Sequence, residues 1–313
     1  MQNKSSSRPS GRMIWLNGAF LPESEARISV YDSGAMYGDM VFEMQRSFNK
    51  EIFRLEAHLD RLLAGCKAIY TPCPYNFRQL QIGHEDIVRR NSEAFDADDE
   101  YRTLINVSKG VLPIYAGVEE SKPWVMITVF PLRWVLKGHS QKYKHGVASI
   151  VTSQRTIPAQ YLDPKVKNRS RLHYRIAELE AKRANPEAFP LLLDDAGYVA
   201  ESSGSNFFCV KGDTLITPEP RNCLRGVSRG YVLYLARKLG ISYRERNLEV
   251  YDVLNADEAF FTATPWCITP CTSINGQALG RGRVGEITQA LTQAWAESVG
   301  CDFVEQARRW DGS

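Results

Sequence analysis

The sequence predicts a two-domain protein of the α/β or α+β class. Three observations carry that expectation. The chain has 313 residues, too many for a minimal domain and enough for two modest domains or one large one, at roughly 100–200 residues per domain. It is 43% hydrophobic and 24% charged, so it can bury a sizeable core. Short strand patterns and helical patterns are interspersed in both halves, with a less regular stretch between them.

The first half opens on apolar Met13–Leu16, then Asn17-Gly18 as a turn signal and Ala19–Pro22 as the partner strand. Val41–Phe48, the turn Asn49-Lys50 and Ile52-Phe53 read as a second hairpin. Leu55–Ile69 places Leu55, Leu59, Leu62, Leu63 and Cys66 at helical spacing, and Phe77–Arg90 is a weaker amphipathic stretch. Strands return at Thr103–Ser108 and Trp124–Phe130. In the second half, Val147–Val151 reads as a strand and Ser170–Ala184 as a helix. Leu191–Leu193, Asn206–Lys211 and Thr214–Thr217 read as strands joined by Asp-Ala-Gly and Gly-Asp turns. Ser228–Leu239 reads as a helix with Ser228 as N-cap and Gly240 past its end. Ile241–Arg246, Glu258–Thr262 and Cys267–Ile274 follow as strands, and Val284–Val299 as a closing helix. The expected division is a frayed terminus over 1–12, a small α/β domain over 13–134, a linker over 135–145 and a large domain over 146–313.

The net charge of +3 comes without the basic block that tracks nucleic acid. No apolar run approaches the roughly 18 residues of a membrane span, and Met1–Arg12 has no apolar core of a secretory signal. The seven cysteines are scattered, with no C-x-x-C spacing of a metal site, and read as free, mostly buried thiols in a reducing compartment. A cytoplasmic protein without a metal is the expectation.

Two segments stand out for chemistry. Asp163–Arg175, DPKVKNRSRLHYR, is crowded with Lys165, Lys167, Arg169, Arg171 and Arg175. Read alone, it is a solvated basic loop before a helix. Val199–Phe207, VAESSGSNF, sets one carboxylate, Glu201, before small hydroxyl residues and Gly204. Around them stand YDSGAMYGDMVFE (Tyr31–Glu43), RLEAHLDRL (Arg54–Leu62), CLRGVSR (Cys223–Arg229) and FFTATPWCITP (Phe261–Pro270).

In this order, the motifs resemble those of the class IV, or fold-type IV, pyridoxal-phosphate enzymes. That family includes branched-chain aminotransferases, D-amino-acid aminotransferases, (R)-amine transaminases and aminodeoxychorismate lyases. The resemblance runs from about Trp15 to about Gln306. It implies the D-amino-acid aminotransferase-like fold, the cofactor pyridoxal 5'-phosphate in the large domain, and a homodimer. Its partners would be a small amino donor and a 2-oxo acid, with no nucleic acid or membrane. Lys167, preceded by apolar Val166, matches the lysine that forms a Schiff base with the cofactor and later moves the proton. Glu201 matches the carboxylate facing the pyridine nitrogen, where an anion keeps that nitrogen protonated. Arg61 matches the arginine that grips the phosphate. Val227 and Ser228 open a helix whose N–H groups suit a phosphate. Thr264 matches the threonine completing that cradle, and Leu224 a residue packed on the cofactor ring. Tyr37, Phe42, Arg46, Gly204 and Pro265 are the substrate-pocket candidates.

The match is incomplete around the substrate. Branched-chain enzymes carry a tyrosine five positions after the lysine, where this chain has Leu172. D-amino-acid enzymes trap the substrate carboxylate with an Arg and a His, where this chain has Ile114 and Ala116. Branched-chain enzymes read FEGxR, where this chain reads Phe42-Glu43-Met44-Gln45-Arg46. Lys109 and Arg102 are spare cations for a carboxylate. The resemblance implies an aminotransferase most like the branched-chain enzymes. An aminodeoxychorismate-type lyase and a D-amino-acid or (R)-amine transaminase are the alternatives.

Overall fold

The structure, a computed structural model, describes residues 11–312. The frayed terminus expected over 1–12 lies outside the described residues except for Gly11 and Arg12. The chain divides into two compact units. One runs to Leu132 and includes Asn168–Ser170; the other comprises Arg133–Lys167 and the chain from Arg171 onward.

The first unit is one antiparallel sheet with two long helices and one short one. Its strands are β1 (Met13–Leu16), β2 (Ala19–Pro22), β3 (Val41–Phe48), β4 (Glu51–Ile52), β5 (Tyr101–Ser108) and β6 (Trp124–Pro131), in the order β2-β1-β6-β5-β3-β4. Both hairpin turns foreseen from Asn17-Gly18 and Asn49-Lys50 are present. All four residues take positive φ, as the tightest hairpin turns require. The helices are α1 (Ser33–Tyr37), α2 (Leu55–Ala68) and α3 (Phe77–Asn91). Helices α2 and α3 press Leu59, Leu62, Leu80 and Ile87 out of solvent. The short helix α1, within the Tyr31–Glu43 motif, was not legible in its sequence pattern. It is set by Asp32, which accepts from Gly34 N at 2.8 Å, Ser108 Oγ at 2.7 Å and Trp124 Nε1 at 2.6 Å.

Strand alternation sends Glu43 toward α2 and Phe42, Met44 and Arg46 to the opposite face. Glu43 is fully enclosed there. It accepts from Arg61 Nε at 2.6 Å and Arg61 Nη2 at 2.8 Å, and its other contact is His58 Nδ1 at 2.8 Å. Burial raises its affinity for a proton, but the Arg61 charge and the bonds from His58 and Arg61 outweigh that. The carboxyl is held well below the usual carboxylate range.

The second unit holds α4 (Arg133–Leu136), α5 (Ser140–His145), β7 (Val147–Arg155), α6 (Leu172–Ala184), β8 (Phe189–Leu193), β9 (Val199–Glu201), β10 (Asn206–Lys211) and β11 (Thr214–Thr217). It continues with α7 (Val227–Lys238), β12 (Ser242–Glu245), α8 (Val250–Leu254), β13 (Glu258–Ala263), β14 (Cys267–Ile274), β15 (Gln277–Ala278), α9 (Glu286–Val299) and α10 (Phe303–Asp311). Its mixed sheet has the order β12-β11-β10-β13-β14-β7-β8-β9, with β15 on β14. Strand β9 also pairs with β10 through Asn206↔Glu201, so six of these strands close into a ring. The core includes Leu191, Val199, Phe207, Phe261 and Ile274.

Several elements differ from the sequence expectation. The stretch 135–145 is not an irregular linker: Leu136 ends α4 and Ser140–His145 forms α5, packed on α10 and β14. Helix α6 starts at Leu172 because Asn168 bridges to Val41 and Ser170 donates to Tyr37 O, which keeps 168–170 with the first unit. Ser228 is not an N-cap. Gly226 holds that position, and Ser228 is buried in the first turn of α7. Helix α9 begins at Glu286, where the Glu258 carboxylate accepts from the N–H groups of Ile287 and Thr288 at 3.0 and 2.8 Å. A further helix, α10, follows Gly300. It was not read from the sequence, which has Val284–Val299 as the closing helix, and its start is capped by Asp302, which accepts from Val304 N and Glu305 N.

The Glu43 cluster yields a stability prediction. Glu43→Gln leaves the largely buried Arg61 charge without its anion and is expected to cost about 3–5 kcal/mol at pH 7. Because the native carboxyl titrates far below its unfolded value of about 4.3, the wild-type advantage is full above that pH and falls as pH drops through it. Urea unfolding at pH 7 and pH 3.5 checks this, with the gap expected to narrow by about 1 kcal/mol.

Candidate active site

Two neighbouring amines, Lys165 and Lys167, sit in very different surroundings. Asp163-Pro164 makes a turn in which the Asp163 carboxylate accepts from Lys165 N at 2.9 Å. The Lys165 ammonium is held by Asp163 at 2.7 Å and donates to Arg221 O. Val166 is buried and anchors the segment. Lys167 is half-buried, and its charge acts on Glu201. The chain leaves the second unit after Lys167 and returns at Arg171.

Glu201 ends β9 and is enclosed on all sides, 4% exposed. Its Oε1 accepts from Tyr174 Oη at 2.6 Å, and its Oε2 from Leu224 N at 3.0 Å and Asn206 Nδ2 at 3.2 Å. The same Asn206 amide donates to Leu224 O at 2.8 Å, so one side chain ties strand β10, the 223–226 loop and the carboxylate together. Burial pushes the Glu201 carboxyl up, while the Tyr174 and Leu224 donors and the Arg171 and Lys167 charges pull it back. Burial and the neighbouring Glu201 charge raise the Tyr174 phenol well above its ordinary value. The phenol stays a donor.

Next to this carboxylate, the chain turns through Leu224 and Gly226 into α7, a 12-residue helix. No side chain caps its start. Its first N–H groups and its dipole suit an anion. Gly226 is required by space: a Cβ there would collide with Asn206 Oδ1. Thr264 and buried Pro265 lie in the turn joining β13 to β14, braced by Thr262 Oγ1 donating to Cys267 O at 2.7 Å. Gly204 is the exposed tip of the turn after Glu201, closed by Ser202 N donating to Ser205 O at 2.8 Å.

The remaining candidates belong to the first unit. Arg61 forks onto Glu43. Its strand-to-helix ion pair gave no signal in the sequence, where Arg61 reads as an outward helix position. Tyr37 is 68% exposed on α1. Phe42 is buried under Arg169, whose guanidinium carbon lies 3.8 Å from the ring centre and which donates to Asn106 Oδ1 at 2.7 Å. Arg46 is buried over Phe48. Lys109 is not a spare cation, since it pairs with Asp39 at 3.2 Å. Arg102 stands opposite Arg46 across the β3–β5 ladder, and its Nε and Nη1 are buried without a hydrogen-bond partner among the described residues. Leu172, in place of the tyrosine of branched-chain enzymes, is largely exposed.

Three features of the second unit fit the cofactor that the resemblance implies. A buried anion suits a protonated pyridine nitrogen, an uncapped helix start beside it suits a phosphate, and the Lys167 amine suits an aldehyde. Tyr174, Asn206 and the Leu224 N–H surround the Glu201 carboxylate, and none of these contacts was read from the motifs. Asn206 lies inside the quoted VAESSGSNF run, and its position opposite Glu201 on a hairpin was the available signal.

Gly226→Ala is expected to displace Asn206 and weaken cofactor binding by about tenfold or more, the effect of losing one charge-assisted hydrogen bond. Titration of the apo-protein with pyridoxal phosphate, monitored by tryptophan fluorescence, checks this; unchanged affinity would contradict it.

Comparison with known proteins agrees with this geometry. The family model for amino-transferase class IV matches residues 40–274. The chain is 33% identical over 287 residues to a putative branched-chain-amino-acid aminotransferase of Methanocaldococcus jannaschii, covering 91% of this chain and 95% of that one. It is 28% identical to a D-alanine aminotransferase of Listeria monocytogenes, covering 94% and 99%. Among solved structures, the T.th. branched-chain amino acid aminotransferase complexed with 4-methylvaleric acid superposes with a TM-score of 0.83 at 28% identity, covering 93% and 95%. The same enzyme with pyridoxamine 5'-phosphate gives 0.84 at 27% identity, covering 97% of each chain. The chain therefore belongs to the class IV aminotransferases, with their fold-type IV architecture and their dependence on pyridoxal phosphate.

Proposed function

We propose that this aminotransferase moves the amino group of a branched-chain L-amino acid to a 2-oxo acid, working as a cytoplasmic homodimer. The observation that carries the site assignment is the enclosed Glu201 carboxylate within reach of the Lys167 charge. The substrate class is supported by the branched-chain relatives and by the 4-methylvaleric acid bound in the T.th. structure. Ile114 and Ala116, where D-amino-acid enzymes place their Arg and His, speak against the D-specific reading. Five of the seven cysteines are packed as buried thiols, which suits a reducing compartment. Among the described residues no helix is long and apolar enough to cross a membrane.

In this reading Lys167 would hold the cofactor through its amine, and the free amine would accept the proton from the substrate Cα. The cofactor, when bound, supplies the electron sink for the charge left on that carbon. Glu201 would set a fixed negative charge against the pyridine nitrogen and so keep its proton in place. Val227 and Ser228 offer backbone N–H groups to the phosphate; Thr264 adds a hydroxyl and Arg61 a guanidinium whose position Glu43 fixes. Leu224 would border the ring from the same loop whose backbone binds Glu201. Tyr37, Phe42, Arg46, Gly204 and Pro265 would line the substrate pocket. Arg102 is the cation proposed for a substrate carboxylate. Burial, and then the Arg46 charge, pull its pKa down to about 10, and two of its donors await an acceptor.

Borohydride reduction of the wild-type holoenzyme is expected to leave a pyridoxyl label on the Lys167 peptide, absent from Lys167→Ala, whose turnover should fall by about 10^4 or more. With 2-oxoglutarate as acceptor, L-leucine should be used at least about tenfold better than D-alanine or (R)-1-phenylethylamine. A label on another lysine would remove the site assignment, and a preference for D-alanine the substrate class.

A further inference from the structure

In the proposed reaction Glu201 acts through the group it would face; what keeps it charged and aimed lies in this chain. Each of its oxygens is held differently. Oε2 is held by a backbone N–H and an amide. Oε1 is held by Tyr174, at the shortest distance in the cluster, 2.6 Å. Tyr174 sits in the first turn of α6, and its ring is fixed from two sides. The Arg171 guanidinium carbon lies 4.5 Å from its centre, and the His173 ring centre lies 4.0 Å away. Arg171 is itself tied to Ser203 O, and Ser203 Oγ donates to Glu178 at 2.7 Å further along α6. The phenol is therefore delivered to Glu201 by a braced assembly rather than by chance contact.

We propose that Tyr174 is a positioning residue for the transamination. Its hydroxyl orients the Glu201 carboxylate and stabilises its charged form, and Arg171 holds the phenol in place. This rests on the assignment of Glu201 to the cofactor nitrogen. The bond is charge-assisted and its acceptor is buried, a setting that strengthens such bonds. Among the described residues, the other charged or titratable groups that act on Glu201 include Lys167, Arg171 and Cys223. Cys223 is a buried thiol pushed up to about 12 by burial and then by the Glu201 charge, and so remains neutral. Tyr174→Phe therefore removes one donor from Glu201 without removing a charge from the cluster.

The test is a double-mutant cycle on the holoenzyme and on apo-protein titrated with pyridoxal phosphate. Tyr174→Phe keeps the ring between Arg171 and His173. It is expected to weaken cofactor affinity about tenfold and lower kcat about tenfold with KM unchanged, the scale of one hydrogen bond to a charged group. The acidic limb of the pH–kcat profile should move to higher pH, since a carboxylate that loses a donor gains a proton more readily. In a Glu201→Gln background the same change should have no further effect. The proposal is overturned if Tyr174→Phe leaves affinity, kcat and the acidic limb as in wild type, or if its losses persist in full beside Glu201→Gln. Should Glu201→Gln alone behave as wild type, the Glu201 assignment falls with it; if only Tyr174→Phe is silent, that assignment stands.

Discussion

A carboxylate taken fully out of water is costly unless donors replace the solvent, and the second unit is organised around meeting that cost at Glu201. The donors come from three places in the sequence: Tyr174 on α6, Asn206 on β10 and the Leu224 backbone. The pair Asn206↔Glu201 is also the bridge that closes the strand ring. The register that completes the sheet therefore sets the position of the charge. A slip of one residue would turn Glu201 to the other face of its strand. Gly226 belongs to the same arrangement, because Asn206 occupies the space a Cβ would need.

The first unit solves the same problem with opposite chemistry. Glu43 is as deeply buried as Glu201, but it is matched by the Arg61 cation as well as His58. Its proton affinity is depressed where that of Glu201 is raised. Glu43 serves to place a guanidinium. Glu201 is held by a phenol, an amide and a backbone N–H, all neutral donors, and is suited to act on a positively charged ring nitrogen.

Much of this was legible from sequence because it lies in local patterns. Asn17-Gly18 and Asn49-Lys50 marked their hairpins, apolar spacing marked α2, and the ordered motifs marked the family. What escaped depends on distant contacts. Ser228 reads as an N-cap by residue type, yet Gly226 takes that position because the preceding loop is held by Asn206. Residues 135–145 look irregular because α4 and α5 are too short for a periodic signal; they exist because α10 and β14 cover them. Tyr174 sits seven positions past Lys167 in a run of cations, and nothing in that spacing tells that its hydroxyl meets a carboxylate from β9. Lys109 looked spare because Asp39, its partner, comes from another element.

Nitrogen-15 NMR of the holoenzyme, reconstituted with pyridoxal phosphate labelled at the ring nitrogen, tests the account most directly. A pyridine nitrogen that is protonated at neutral pH, and becomes unprotonated when Glu201 is made uncharged, is the result expected of a buried anion set against it. An unprotonated nitrogen in the wild-type enzyme would contradict the role given to that carboxylate.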